Sequence, residues 1–145
     1  MHRLTGLWVV AALLGMTACS SGVPRAASPP RALAPGTIDV AINGQTVNTP
    51  RHAGCTRVGS YTAVAAGEGD SRLRAIANDA VGIKAVSVEI TNVGGFTGSY
   101  LLNLQGDAEA RVAGSTFQIS GVANGYDTAR PSFRATGDFR IQFAC

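Results

Sequence analysis

The alternation of side chains at the carboxyl terminus constrains the fold of this chain more than any other feature. Between positions 133 and 143, one face of the pattern carries Phe133, Ala135, Gly137, Phe139, Ile141 and Phe143. The opposite face carries Arg134, Thr136, Asp138, Arg140 and Gln142. A period of two places successive side chains on opposite faces of a β-strand. The pattern therefore predicts a sheet with one dry and one wet face, as antiparallel sheets have.

The same period recurs upstream in short segments separated by Gly, Asn and Asp. Ile38, Val40 and Ile42 share one face, and the Asn43-Gly44 pair after them suits the positive φ angles of a tight hairpin turn. The predicted strands are 38–42, a return strand from 45, then 61–65, 72–78, 85–91, 99–105, 107–112, 116–123 and 133–143. The sequence thus predicts an all-β domain, either a single antiparallel β-sandwich or a strongly curled sheet of about seven to nine strands.

Two parts of this assignment need separate mention. In the strand 99–105 we expect Tyr100, Leu102 and Leu104 to point inward. Between positions 71 and 88 the apolar residues also fit a helical spacing, so a helix is the alternative there.

The first nineteen residues have the layout of an export signal. Met1-His2-Arg3 gives a positive start, positions 4–16 form an uncharged apolar run, and Met16-Thr17-Ala18-Cys19 follows. A helix of that length rises only about 20 Å, less than the roughly 30 Å hydrocarbon core, so a permanent transmembrane helix is disfavoured. Because Met-Thr-Ala-Cys is similar to the bacterial lipobox, we expect Cys19 to be acylated, with palmitate for example. The alternative is an ordinary signal peptide cleaved after Ala18.

Residues 20–36 hold four of the six prolines and lack apolar periodicity. This composition is typical of an extended, disordered tether. The expected organisation is a lipoprotein signal peptide at 1–18, the lipidated cysteine and its tether at 19–36, and one β-rich globular domain at 37–145.

The net charge of +3 does not describe the folded part of the chain. Arg3, Arg25 and Arg31 lie in the first 36 residues, which contain no acidic residue, whereas residues 37–145 hold nine basic and nine acidic side chains. A domain without excess positive charge has no electrostatic footprint for DNA or RNA. Nucleic acid is therefore not an expected partner.

The three cysteines support the lipid-anchor interpretation. An exported protein with three cysteines has one left over after pairing. If Cys19 carries lipid, Cys55 and Cys145 remain as a disulfide pair in an oxidising compartment.

The search for catalytic motifs is negative. The mature chain has a single histidine, His52, for which we find no metal-binding partners. The sequence Glu68-Gly69-Asp70 is typical of a solvated turn. Asp107 and Glu109 share a strand face, but their small neighbours offer no apolar pocket to raise a carboxyl pKa. We therefore predict no catalytic residue, no cofactor and no metal site, and expect a protein that is not an enzyme.

Several segments taken in order resemble the mycobacterial 19-kDa lipoprotein antigen family. The segments that carry the resemblance are Ile38 to Gln45, Cys55-Thr56, Val86 to Gly95, Phe117 to Gly125 and the last strand ending in Cys145. The resemblance implies an acylated, often glycosylated envelope protein, held by its lipid anchor on the extracytoplasmic face of the cell membrane or displayed at the cell surface. It also implies recognition by host innate receptors through the acyl chains, and it adds no catalytic residue.

Two classes of function remain open at the level of sequence. In the first, the domain is a non-enzymatic module for display, adhesion or envelope organisation. In the second, it carries an apolar ligand such as an envelope lipid, because many inward positions hold small side chains opposite phenylalanines. The expected lining of an opening into the core is Leu101, Leu102 and Val122.

Overall fold

The computed structural model of the chain describes residues 29–48 and 52–145 and contains strands only. Among these residues there is no helix of the length and apolarity that a membrane span requires. The ten strands are β1 Ile38–Ile42, β2 Gln45–Val47, β3 Gly54–Val58, β4 Tyr61–Glu68, β5 Ser71–Asn78, β6 Lys84–Val93, β7 Phe96–Leu101, β8 Asp107–Ala113, β9 Thr116–Asp127 and β10 Arg134–Ala144. The all-β prediction is confirmed.

All ten strands belong to one strongly curled antiparallel sheet. The path through the sheet is β2-β1-β10-β9-β7-β6-β5-β4-β3, and β8 pairs with β9 beside this path. One edge of β9 pairs along its length with β10, from Thr116 opposite Ala144 to Tyr126 opposite Arg134. Its other edge is shared, because positions 116–122 pair with β8 and positions 124–127 pair with β7. The sheet therefore divides at β9 into two halves that face each other. One half consists of β2, β1, β10, β9 and β8, and the other consists of β7, β6, β5, β4 and β3.

Two glycines of β9 lie close to the backbone of its paired neighbours, Gly121 opposite Ala108 of β8 and Gly125 opposite Gly98 of β7. A Cβ atom on Gly121 would lie 2.0 Å from the carbonyl oxygen of Asp107, and one on Gly125 would lie 2.0 Å from that of Thr97. Any side chain would therefore collide with the neighbouring backbone. Glycine is needed here for space.

The core fills the gap between the two halves. From β9 and β10, Ile119, Ile141 and Phe143 are fully buried, and the rings of Phe117 and Phe143 stack with centroids 5.1 Å apart. The other half contributes the alternate residues Val64, Leu73, Ala75, Ala77, Val88 and Ile90. Side chains from two facing sheets normally interdigitate in this way across about 10 Å. The alternation that predicted the strands is thus the pattern that forms the core.

A disulfide joins distant parts of this sheet. Cys55 of β3 and Cys145 after β10 are bonded with a Cα–Cα distance of 5.7 Å, although 90 positions separate them in sequence. Beside it, Thr37 forms an antiparallel bridge with His52, and the Ala53 amide donates to the Gly36 carbonyl at 2.9 Å. The last strand of the path is therefore tied back to the region where β1 begins.

The predicted strands 72–78 and 85–91 lie within β5 and β6, so the helical alternative for 71–88 is wrong. The structure differs from the sequence-based assignment in three places. Strand β3 was not predicted. Strand β7 ends at Leu101, where the Leu101 amide donates to the Gln105 carbonyl and turns the chain, so Leu102 and Leu104 are exposed instead of inward. Phe133 is 71% exposed because it lies in the turn before β10, where its amide donates to Arg130.

Residues 29–36, which we assigned to the tether, pack against the sheet. Pro30 is buried, the Leu33 amide donates to the Thr116 hydroxyl at 3.1 Å, and the Gly36 amide donates to the Ala144 carbonyl at 2.8 Å. The expected linker residues 19–28, and the signal segment before them, lie outside the described residues.

Removal of the disulfide is expected to destabilise the domain substantially. In the chain-entropy model, a bond that closes a loop of this length contributes about 4–5 kcal/mol to the free energy of unfolding. A reducing agent should therefore lower the unfolding midpoint of the wild-type protein. The double variant Cys55→Ala, Cys145→Ala should start at the lower midpoint and show no response to the reductant. Titration of two free thiols in the folded, unreduced protein would contradict the pairing.

The close approach at β9 predicts a strong effect of adding one methyl group. The Gly121→Ala variant should lose about 1–3 kcal/mol of unfolding free energy, because β8 must move away from β9. The Gly54→Ala variant is the matched control, since its Cβ would meet its nearest neighbour at an ordinary 3.7 Å. Denaturant unfolding compares the two variants. Equal stabilities would show that the backbone spacing at Gly121 is not limiting.

Candidate functional site

The cysteines are the first of the sequence-predicted site residues to consider. Cys55 and Cys145 lie together in the disulfide described above. Cys19, the predicted site of lipid attachment, lies outside the described residues.

The acidic residues and the histidine singled out from the sequence lie in separate places. His52 is exposed and makes its backbone bridge with Thr37, and Glu68 lies at the turn between β4 and β5. Asp107 and Glu109 share the outer face of β8, where Glu109 pairs with Arg111 at 2.9 Å. Over residues 29–48 and 52–145, no group of three His, Cys, Asp or Glu side chains is close enough to hold a metal ion.

The expected opening into the core is not formed by the residues we predicted. Leu101 and Leu102 are exposed, and Val122 lies on the outer face of β9, between Asp107 and Asp138 of the neighbouring strands. Of the small side chains that suggested a cavity, Ala75, Ala77 and Ala123 are at most 1% exposed and belong to the same core cluster as the phenylalanines. Ala63 and Ala65, which were expected to point inward, lie on the outer face instead.

An apolar depression lies instead on the outer face of β3 to β7. It has a volume of about 460 Å³ and presents more apolar than polar surface. The depression forms where small side chains on the outer face lie next to longer side chains. The small ones are Gly54, Thr56, Ala63, Ala65, Ser87 and Ser99, and the longer ones are Arg74, Ile76, Glu89 and Leu101. We call this set the outer depression.

Strand register explains how these residues come together. Ala63 lies opposite Ile76, which lies opposite Ser87, which lies opposite Leu101, so one row crosses four strands. A second row runs from Gly54 through Ala65 and Arg74 to Glu89 and Ser99. Sequence analysis missed the depression because its residues come from five strands, and β3 was not among those predicted.

Tyr100 also lines the depression, although its side chain belongs to the core. The residue is 3% exposed, and its hydroxyl donates a hydrogen bond to the Ala85 carbonyl at 3.3 Å. Burial raises the pKa of Tyr100 because the phenolate would lose its hydration, and the negative charge of Asp107 raises it further. The phenol therefore remains a neutral hydrogen-bond donor at physiological pH.

A second surface lies on the outer face of β2, β1, β10, β9 and β8, and it is polar. We call it the polar face, and it carries Asp39, Thr46, Glu109, Arg111, Gln118, Ser120, Arg140 and Gln142 around a cleft of about 750 Å³. The Gln142 amide donates to the Gln118 side-chain oxygen at 2.8 Å, and Arg31 pairs with Asp39. These hydrogen bonds and ion pairs hold several of its side chains in fixed positions.

Comparison with known proteins assigns the chain to a family. The family model described as Mycobacterium 19 kDa lipoprotein antigen matches residues 31–145. A putative lipoprotein of Mycobacterium avium subsp. hominissuis is 34% identical over 99% of this chain and 96% of its own length. The probable lipoprotein LppE of Mycobacterium tuberculosis is 33% identical over 98% of this chain and 95% of its own.

The lipoprotein LpqH of Mycobacterium tuberculosis is a further relative, 31% identical over 84% of this chain and 72% of its own length. The family suggested by the residues is thereby confirmed. The chain belongs to the Mycobacterium 19 kDa lipoprotein antigen family.

Proposed function

We propose that this envelope lipoprotein is acylated on Cys19 and held on the extracytoplasmic face of the membrane, where its β domain serves display, adhesion or envelope organisation. The observation that carries the proposal is the division of the three cysteines. The structure bonds Cys55 to Cys145, so the remaining Cys19 is the one that follows Met16-Thr17-Ala18. A disulfide of this kind also suits an exported protein, because oxidising compartments preserve it.

The polar face supports a role in display. Its side chains form the Gln142–Gln118 hydrogen bond and the Arg111–Glu109 ion pair, and β1, β9 and β10 bury alternate residues on their opposite face. A rigid polar surface loses little conformational entropy when it meets a partner. In this proposal the acyl chains on Cys19 supply both the anchor and the group that a host innate receptor senses.

The anchor is tested by the Cys19→Ala variant expressed in a bacterium with a lipoprotein pathway. Loss of the acyl chains removes about 0.8 kcal/mol of membrane affinity per buried methylene, so the variant should leave the membrane fraction. Mass spectrometry of the wild type should find an acylated cysteine as its first residue. The double variant of Cys55 and Cys145 is the control, since it should keep both the acyl mass and the membrane location.

An ordinary signal peptide predicts a different result. Cleavage after Ala18 would leave an unmodified Cys19 at the amino terminus, and wild type and Cys19→Ala would distribute equally between membrane and soluble fractions after salt and carbonate washes. That outcome would refute the anchor.

The outer depression supports a second candidate function, carriage of an apolar ligand such as an envelope lipid. A largely apolar surface around about 460 Å³ is within the range of small-molecule sites. Because the depression lies outside the core, a ligand there would remain partly exposed to solvent.

This second function predicts saturable binding of a fluorescent fatty-acid analogue to the chain. The Ala65→Phe variant should weaken binding by roughly tenfold or more, because the ring occupies the depression at an exposed position that the core does not use. Thr46→Phe, which adds the same ring to the polar face, should bind as the wild type does. Absence of saturation in the wild type at micromolar concentration would remove this candidate.

A further inference from the structure

The exposed large apolar side chains are concentrated at one end of the domain. Seven of the eight lie on the turns and strand ends near positions 58–61, 81, 101–104 and 112, and only Phe133 is elsewhere in the described part of the chain. We call these seven the apolar rim. Its members are Val58, Tyr61, Val81, Leu101, Leu102, Leu104 and Val112.

Strand directions and hydrogen bonds place the rim at a single end. The Asp79 amide donates to the Ser60 carbonyl at 3.0 Å, which joins the β3–β4 turn to the β5–β6 loop. The Leu102 amide donates to the Val86 carbonyl at 2.9 Å, which joins the turn after β7 to the start of β6. Ile83 and Val112 line one cleft and so complete the connection to β8.

The chain enters the domain at this same end. Pro29 and Pro30 line the cleft that contains Ile83 and Val112, and Leu33 bonds to Thr116 at the start of β9. The 28 residues before Pro29 lie outside the described structure, and Cys19 is among them. We call this the anchor end, and the opposite end, which carries Phe133, the far end.

From these positions we propose that the anchor end is seated on the lipid bilayer, with the apolar rim in contact with the boundary between headgroups and acyl chains. The inference rests on the proposed acylation of Cys19 and adds to it an orientation and a second point of membrane contact. Apolar side chains on exposed loops gain free energy when they enter this boundary, in proportion to the area they bury.

Chain length favours this orientation. Ten Cα–Cα steps separate Cys19 from Pro29, and they span at most about 35 Å when fully extended. Strand β9 runs from the anchor end to the far end, and its 12 residues span about the same distance. Seating the far end on the membrane would therefore require a nearly fully extended tether, whereas seating the anchor end leaves the tether slack.

Charge on the rim also suits an anionic lipid surface. The segments 58–61, 79–84 and 101–105 carry one carboxylate, Asp79, which is paired with Arg57 at 2.8 Å, and Asp107 follows the last of these segments at the start of β8. Lys84 beside the same loop is exposed. The loop between them, Ala80-Val81-Gly82-Ile83, has no charge, so it can enter the boundary while Lys84 stays among the headgroups. The far end has Glu68, Asp70 and Asp127 close to its turns.

The orientation can be tested with single tryptophans, because Trp8 is the only tryptophan and precedes Cys19. The acylated mature protein is reconstituted on phosphatidylcholine–phosphatidylglycerol vesicles that contain brominated lipid. Val81→Trp at the anchor end is compared with Phe133→Trp at the far end, two positions that are 84% and 71% exposed. We expect at least threefold stronger quenching of the tryptophan at position 81.

Each outcome decides a different claim. Protein that floats with the vesicles but shows equal quenching at both positions, or stronger quenching at 133, overturns the orientation and leaves acylation intact. Protein that carries no acyl mass and does not float overturns both proposals. Because tryptophan itself favours the boundary, the unsubstituted protein is also measured by NMR with spin-labelled lipid. The methyl signals of Val81 should broaden more than those of Val93, and equal broadening would again overturn the orientation.

Discussion

The pairing of β9 with β10 is the interaction on which the rest of the structure depends. Eleven residues of each strand are in register, and both strands turn their alternate residues toward the core. Strand β1 adds to the free edge of β10, and β8 and β7 add to that of β9. The tether bonds to Thr116 and Gly36 bonds to Ala144, and these two residues form the last pair of the ladder. A break in this ladder would therefore release elements from both halves of the sheet.

The packing around the same ladder leaves the candidate surfaces on the outside of this domain. The backbones of paired strands leave no room for a side chain at Gly121 and Gly125, and the Phe96 ring lies against Gly98 and Gly137. The space beside these small residues is therefore occupied by neighbouring backbone or by the Phe96 ring. The candidate surfaces are the outer depression and the polar face, which are built by register between neighbouring strands, and the apolar rim, which is built by turns and strand ends at one end.

The sequence predicted the strands in which buried and exposed side chains alternate, and it failed to predict strands or strand ends where they do not. Ile38, Val40 and Ile42 are all buried, as their spacing predicts. Strand β3 has no such signal, because all five of its residues are exposed and backbone pairing with β4 alone defines it. Leu102 and Leu104 continued an apolar alternation past the true end of β7. The positive φ angle of Asn103 marks the turn there, and asparagine is a residue that tolerates it.

Some of the candidate sites could likewise be predicted from the sequence, and others could not. The disulfide was predictable because three cysteines with one assigned to lipid leave a single pair, whatever the fold. The outer depression was not predictable from the sequence. Ala65 and Leu101 line the same depression only because of the order in which five strands pair. Its residues are common types whose chemistry gives no sign of a site. Apolar side chains on turns, such as Val81, are visible in the sequence, but their collection at one end requires the strand directions.

The position of the disulfide relative to the tether has a mechanical consequence for an anchored domain. The covalent loop from Cys55 to Cys145 encloses β4 to β10, whereas the β1–β2 hairpin lies in sequence between Cys19, the proposed anchor, and this loop. Apart from the backbone that continues into β3, the hairpin is joined to the rest by non-covalent contacts. Four buried side chains of β1 hold it, and each fully buried Ile or Val among them contributes roughly 1.5–3 kcal/mol. The Asn43 amide also donates to the Asp138 carbonyl at 2.8 Å, while the Asp138 amide donates to the Asn43 side chain at 3.0 Å. A force applied through the tether therefore acts first on the bonds of Leu33 to Thr116 and Gly36 to Ala144 and then on the β1–β10 pairing, and the closed loop retains its connectivity if these contacts open.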